Sequence, residues 1–428
     1  MKIKKLPIYL LTLANTLTAI GLLTTGYSHH LDPRTFGWLA LAGYAFPLML
    51  CLTIAFLTFW LFVKKRYALI SIIALLIAYQ PVTLYCPLNP STTDTATVPD
   101  GEASDSLPSP QGGGIGGGAL TILTYNTHNL STINPGEEGT NTFIPASNDP
   151  DQPNPIIKYL ADSGADILCL QEFTPNSNQQ KQIEKHLLPY YPYCDSVHHN
   201  TNPSHLWIYS RYPITRKQLI PYESKGNLSA AFWLNINGHD IIVVNNHLEV
   251  TGLSIEERTK FSEMMHGKQQ RHTMRHTSRT ILSRLLSSSK LRAAQADAVA
   301  AFIRQHTTPL PSPSAEMRSG GKKTIGSASP SGTLHSHSGG GVGGGDIIIC
   351  GDFNDIPQSY AYHTIAEGLT DCYRHSAFGP GYTFSHYGMR VRIDNILCSP
   401  TLTPISCHVD NTIHASDHYP VIATLYIK

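Results

Sequence analysis

Three stretches near the N-terminus contain no Asp, Glu, Lys or Arg: the residues between Lys5 and Asp32, between Arg34 and Lys64, and between Arg66 and Asp94. Each can supply the roughly 20 apolar residues that cross about 30 Å of hydrocarbon as a helix. They predict helices near 7 to 27, 36 to 62 and 67 to 86, and so a three-span membrane anchor over residues 1–88. A cleaved signal peptide would account for the first run alone, and no clear small-residue cleavage site follows it. Basic residues set the orientation, because they stay on the cytoplasmic side of short loops. Lys2, Lys4 and Lys5 precede the first span and Lys64, Lys65 and Arg66 separate the second from the third, whereas the 28–35 loop holds one Arg and one Asp. Three spans that start inside end outside. The expectation is a multi-pass protein of the plasma (inner) membrane with everything after about residue 90 extracytoplasmic.

From 89 to 118 the chain is Pro, Ser, Thr and Gly without periodicity, the composition of a linker. A second such stretch, 308–345, cannot bury enough apolar surface to order itself and is read as a loop inside the following domain. That domain, 119–428, carries short apolar runs such as "ALTILTYN", "ADILCLQEF", "HDIIVVNNHLEV" and "DIIICGDFN". Continuously apolar runs suit strands covered on both faces. Helical patterns fall at 154–163 and across roughly 254–306. Many strands with few helices suggest two packed sheets with helices outside them. The formal charge of +1 says little about partners. Of the eight cysteines, Cys169, Cys350 and Cys398 lie in apolar runs and read as buried thiols, and the absence of CxxC spacing gives no support to zinc or redox chemistry.

Polar residues recur where these runs stop: Asn126 in "LTYN", Glu172 in "LQE", His247 in "NNHLE", Asp352 and Asn354 in "GDFN". "SDH" at 416–418 precedes the last run. One polar strand end is ordinary; a set drawn almost wholly from Asp, Asn, Glu and His points to a site built where strand ends converge. Alternation along a strand lets Asp352 and Asn354 face one side while Phe353 enters the core. A carboxylate beside an amide suits a hard cation and a phosphate oxygen. Glu172, at the end of a buried strand, is read either as a direct ligand of Mg²⁺, which accepts few protein carboxylates and keeps most of its waters, or as a solvent-facing Glu after the strand. Asp394 in "RIDNIL" is assigned to orient His418, since a carboxylate fixes an imidazole's tautomer and raises its basicity. Asp417 then faces the metal directly or through water.

The ordered set "TYN", "LQEF", "NNHLE", "GDFND", "RIDNIL" and "SDHYP" resembles the endonuclease/exonuclease/phosphatase superfamily, which includes DNase I-like nucleases, sphingomyelinases and inositol-polyphosphate phosphatases. The resemblance covers roughly 119–428 apart from the low-complexity loop. It implies an α/β fold, a four-layer α/β/β/α sandwich, with a Mg²⁺-dependent site (Mn²⁺ as an alternative) at one edge of the two sheets. It also implies roles: Asn126 and Glu172 at the metal with Asp417 nearby, Asp352 and Asn354 positioning nucleophile and phosphate, Asp394 orienting His418. His247 matches a second His of the DNase-like and sphingomyelinase-like branches, which makes an abasic-site endonuclease the weaker reading.

The expected activity is hydrolysis of a phosphate ester, with nucleic acid or a phospholipid head group as substrate, the bilayer as the anchor's partner and no protein partner specified. A non-catalytic tethered binding module is the reading from another class, and it has no need of Glu172, Asp352, Asn354, Asp417 and His418 together. Residues 264–292 carry seven Lys or Arg and no acid. Lys268, Arg271, Arg275 and Arg279 fall at helical spacing and would share one face, either a grip on phosphates or membrane or simply a solvated surface.

Overall fold

The computed structural model describes residues 6–89, 118–134, 142–145, 152–199, 202–268, 271–307 and 345–427. The first charge-free run forms α1 (Leu6–Gly26), and the second forms a 3₁₀ segment (Gly37–Ala45) continuing into α2 (Phe46–Val63). Both helices, Pro7–Gly26 and Pro33–Val63, are long and apolar enough to cross a membrane. The third run departs from the single helix predicted at 67–86. It is α3 (Lys65–Ile77) followed by α4 (Tyr79–Tyr85), bent by 68° at the break between them. Pro81 explains the bend: its ring would strike the carbonyl of Ile77 four residues back, and it has no N–H to continue the ladder. This run counts as a span only if the bent pair is taken as one.

Beyond the bundle, the first sheet uses β1 (Ala119–Asn126), β2 (Ile167–Gln171), β3 (Tyr193–His199) and β4 (Asn202–Ser210). The second uses β5 (Ile214–Ile220), β6 (Leu228–Ile236), β7 (His239–His247), β8 (Asp346–Asp352) and β9 (Thr370–Asp371). A hairpin of β10 (Phe384–His386) and β11 (Met389–Val391) precedes β12 (Asp394–Cys398), which joins the second sheet, and β13 (Thr403–Val409) and β14 (Val421–Tyr426) return to the first. The orders are β13-β14-β1-β2-β4-β3 and β9-β12-β8-β7-β6-β5. In each sheet one pair is parallel, β1 with β2 and β7 with β8, so their C-terminal ends share an edge.

The apolar runs are continuous because their alternate residues serve two cores. In β8, Ile348 and Cys350 face the other sheet, packing with Ile122, Cys169 and Val243. Ile347 and Ile349 face outward, against Val299, Phe302 and Ile303 of α8 (Arg271–His306) and Ile365 of α9 (Tyr360–Ala366). On the far side, Leu123, Leu168 and Leu170 pack against Ile156 and Leu160 of α5 (Pro155–Asp162) and Ile183 of α6 (Ser177–His186). Helix, sheet, sheet and helix give the four layers. The long helix expected over 254–306 is instead α7 (Ile255–Met265) and α8, because Gly267 in the left-handed region (φ 69°) ends the first.

Cys169, Cys350 and Cys398 are buried and free, as read from the sequence, and no disulfide occurs among the described residues. Residues 90–117 of the 89–118 linker and 308–344 of the 308–345 loop lie outside the described residues. The bundle nevertheless meets the sandwich directly: Ser28 Oγ donates to the Gln358 carbonyl (3.3 Å), the Tyr85 and Tyr382 hydroxyls bond at 3.0 Å, and Arg34 pairs with Asp297 at 2.7 Å.

Candidate active site

Strand register assembles the site. In the second sheet Asp352 lies opposite His247 on one side and Asp394 on the other. In the first sheet Asn126 pairs with Gln171, so the next residue, Glu172, stands at the same edge. The two sheets are bridged just behind it, where Gln171 Nε2 donates to Asn245 Oδ1 (2.7 Å). Gly351 is required by its neighbour: at φ 117° a Cβ there would sit 2.0 Å from the Asn246 carbonyl oxygen, and only glycine lets β7 and β8 approach so closely.

Asp352 is the hub. Its Oδ2 accepts from Asn126 Nδ2 (3.0 Å) and Asn354 Nδ2 (3.1 Å), and lies 3.8 Å from both His247 Nε2 and His418 Nε2. Burial, then the Asp394 charge, push the Asp352 carboxyl up to about 6, against the pull of His418, His247 and Asn126. His418 Nδ1 is 2.8 Å from Asp394 Oδ2, the pairing assigned from the sequence. Burial draws the His418 ring down, but the Asp394 and Asp352 charges outweigh it and raise it to about 10. Thr383 Oγ1 accepts the amides of Ile393 and Asp394 and so fixes the Asp394 backbone. His247 is 2 % exposed, and neither ring nitrogen has a hydrogen-bond partner; Nε2 faces Glu172 Oε1 at 3.5 Å.

Glu172 is the most open carboxylate of the group, with 24 % of its side chain exposed, and Asn126 Nδ2 approaches its Oε1 at 3.4 Å. Glu172, Asn354 and His128 all sit in the left-handed region, at φ 50°, 50° and 44°. Three such non-glycine residues at one edge mark strain of the kind that collects at functional sites. Asp417 is buried; burial raises its carboxyl, but the charges of His418, His128, His386 and Arg258 bring it below the ordinary carboxylate value.

All eight of the site residues predicted from strand ends and the "SDH" turn therefore gather at one edge. His128 joins them without having been predicted: its Nδ1 lies 3.7 Å from Glu172 Oε2 and 3.9 Å from Asp417 Oδ1. Its place two residues after Asn126 was the available signal. Of the basic set, Lys268 stands apart from the helix that carries the three arginines. Lys268 lies in the turn beyond α7, while Arg275 and Arg279 are exposed on α8. Arg271 begins α8, and its side chain lies outside the described residues.

Two corners offer ligands to a cation. Asp352, Asp394 and His418 each bring a ligand atom within 4.8 Å of the others, yet Nδ1 of His418 and Oδ2 of Asp394 already satisfy each other. The oxygen-rich corner of Glu172, beside Asn126 and Asp352, is open to water and suits a hard, hydrated divalent ion better.

Residues 123–418 match the family model described as Endonuclease/Exonuclease/phosphatase family, and residues 8–85 match that of a domain of unknown function, DUF8431. No curated protein matches the sequence. Similar solved structures include an endonuclease/exonuclease/phosphatase family protein from Bacteroides thetaiotaomicron, 16% identical over 73% of this chain and 96% of that one, with a TM-score of 0.43. D. rerio TDP2 complexed with a single-strand DNA product is 14% identical over 72% of this chain and 98% of that one, with a TM-score of 0.42. ANGEL2, a 2',3'-cyclic phosphatase in complex with adenosine-2',3'-vanadate, is 14% identical over 74% of this chain and 99% of that one, with a TM-score of 0.43.

Proposed function

We propose that this chain, which belongs to the endonuclease/exonuclease/phosphatase family of metal-dependent phosphoesterases, is a membrane-anchored, Mg²⁺-dependent hydrolase of phosphate esters at the outer face of the plasma (inner) membrane. The observation that carries the reading is the buried Asp394 and His418 pair at 2.8 Å, facing Asp352 across 3.8 Å at the convergent strand ends.

Glu172, with Asn126 and Asp417 nearby, would hold a divalent cation, Mg²⁺ or Mn²⁺, which would supply positive charge to the phosphate oxygens. Asp352, poised near pH 6, accepts the proton of the attacking water as its oxygen bonds to phosphorus. Asn354 and Asn126 hold the Asp352 carboxylate in place. His418, kept protonated by Asp394, presents charge to the non-bridging oxygens where negative charge grows. The ester P–O bond breaks, and the leaving oxygen is met by a ring N–H of His247 or by water. His128, between Glu172 and Asp417, adds a further ring to the phosphate pocket.

The placement of the bundle supports a substrate at the bilayer surface, a phospholipid head group ahead of nucleic acid. Lys64, between α2 and α3, and Lys65 and Arg66, in the first turn of α3, lie at the end of the bundle remote from the sandwich, while Ser28 and Tyr85 at the other end touch it. That is the arrangement expected if the basic end is cytoplasmic. Membrane-impermeant maleimide should label exposed Cys194 in intact cells, and protection until lysis would reverse the topology.

The activity is tested with the full chain in lipid vesicles, given Mg²⁺ or a chelator, on phospholipid head-group esters, DNA, RNA and simple phosphate esters. Chelator-sensitive hydrolysis of the lipid is expected. Hydrolysis of DNA or RNA alone reassigns the substrate, and no hydrolysis of any ester ends the reading.

A further inference from the structure

The outer end of the apolar bundle does more than touch the sandwich. Its contacts fall on the two loops that adjoin Asp352 and Asp394 at their strand ends. Tyr44, at the end of the 3₁₀ segment, donates its hydroxyl to Asp355 Oδ1 (2.9 Å), three residues beyond Asp352. The other Asp355 oxygen accepts from Arg292 Nε (2.8 Å), and Arg292 Nη1 reaches on to the Glu249 carbonyl (2.9 Å), two residues beyond His247. Asp355 is 2 % exposed and Arg292 fully buried, so this charge pair depends on having every partner in place.

A second clamp closes on the opposite loop. Arg392 Nη2 donates to the Leu84 carbonyl at the end of α4 (2.6 Å), and Arg392 stands two residues before Asp394. Beside it, Tyr85 bonds Tyr382, the neighbour of the Thr383 that fixes the Asp394 amide. Between the clamps the surfaces meet at backbone distance. A Cβ on Gly43 would lie 3.0 Å from the Gln358 carbonyl oxygen and 2.8 Å from Ser28 Oγ. A domain that merely hung from an anchor would need none of these buried contacts.

We propose that the bundle is part of the catalytic apparatus: Tyr44, through Asp355, and Leu84, through Arg392, position the Asp352 and Asp394 loops. Tyr44 and Arg392 are thus positioning residues for the reaction. The proposal rests on the phosphoesterase reading for its kinetic arm and on local geometry for its structural arm.

The test uses the full chain in lipid vesicles with Tyr44→Phe, which keeps the ring, and Gly43→Leu, which wedges the contact open. Arg34→Ala, which removes the partly exposed pair with Asp297, is the control. For Tyr44→Phe, kcat should fall about tenfold at unchanged KM, since displacement of a catalytic group by even a fraction of an ångström is costly. Gly43→Leu should do at least as much, and Arg34→Ala nothing. Hydrogen exchange should rise over 352–358 in both variants while β1 keeps parental protection. Parental kcat together with parental exchange over 352–358 in both variants overturns the proposal. If the parent hydrolyses no ester, the phosphoesterase reading fails by itself, and the exchange data still decide: raised exchange supports the positioning, unchanged exchange refutes it.

Discussion

The bundle and the sandwich are built inside out with respect to each other. On α1, Leu10, Leu13 and Leu17 are 58, 56 and 59 % exposed, while Asn15 is fully buried. Asn15 Oδ1 accepts from Ser71 Oγ of α3 (2.9 Å), so the polar pair glues the helices from within. In the sandwich Ile122, Val243 and Ile348 are fully buried, and the charged groups that lie inside, Arg292 with Asp355 and His418 with Asp394, are paired. One chain thus carries two opposite surfaces, apolar on the bundle and polar on the sandwich, and the proposed catalytic groups lie near where the two meet.

Five substitutions probe that contrast. Arg292→Met strands the Asp355 carboxylate in the interior and should cost about 3 to 5 kcal/mol of stability, read by thermal unfolding of the detergent-solubilised chain. A cost below about 1 kcal/mol would mean water reaches the pair. Leu17→Asp places a charge on the outward face of α1 and should lower membrane insertion by roughly 2.5 to 3.5 kcal/mol, read as the fraction of chains protease-protected in isolated membranes. Leu219→Asp, at 46 % exposure on β5, is the matched control and should change unfolding by less than about 0.5 kcal/mol. Equal outcomes for the two leucines would erase the distinction between the surfaces.

Asp394→Asn removes the charge that does most to hold the His418 proton and should lower kcat/KM by about tenfold to a hundredfold. It carries a pH signature as well. His418 titrates near 10 when folded and near the ordinary 6.5 when unfolded, so the stability it contributes is complete below about pH 6.5 and is lost as pH rises through about 10. The gap in unfolding temperature between parent and variant, measured in chelator, should be wide in weak acid and close at alkaline pH; a gap independent of pH contradicts the assignment. Ser71→Ala should weaken the bundle by about 0.6 kcal/mol, seen as a slight shift in unfolding.

The layered fold and the core of the site could be read from the sequence because both are written in strand periodicity. Ile347 to Cys350 declare a strand covered on both faces, and Asp352, His247 and Glu172 mark where such strands stop. His128 escaped because it follows β1 in a left-handed turn, which no periodicity announces. The Arg292 and Asp355 pair spans 63 residues, and the Tyr44 contact with Asp355 spans 311. Contacts so distant in sequence leave no local pattern. The other two departures had local signals that were outweighed. Pro81 stood inside the third charge-free run, and Gly267 stood inside the basic segment, where it ends α7 just before Lys268 and leaves that lysine off the helix that carries the three arginines.

The most direct test of the site is steady-state hydrolysis by His418→Asn beside the parent, both as full chains in vesicles with saturating Mg²⁺ and both shown to be folded. Loss of general acid–base or electrostatic help from this ring should lower the rate by about a thousandfold. A folded variant that hydrolyses at the parental rate would contradict the account.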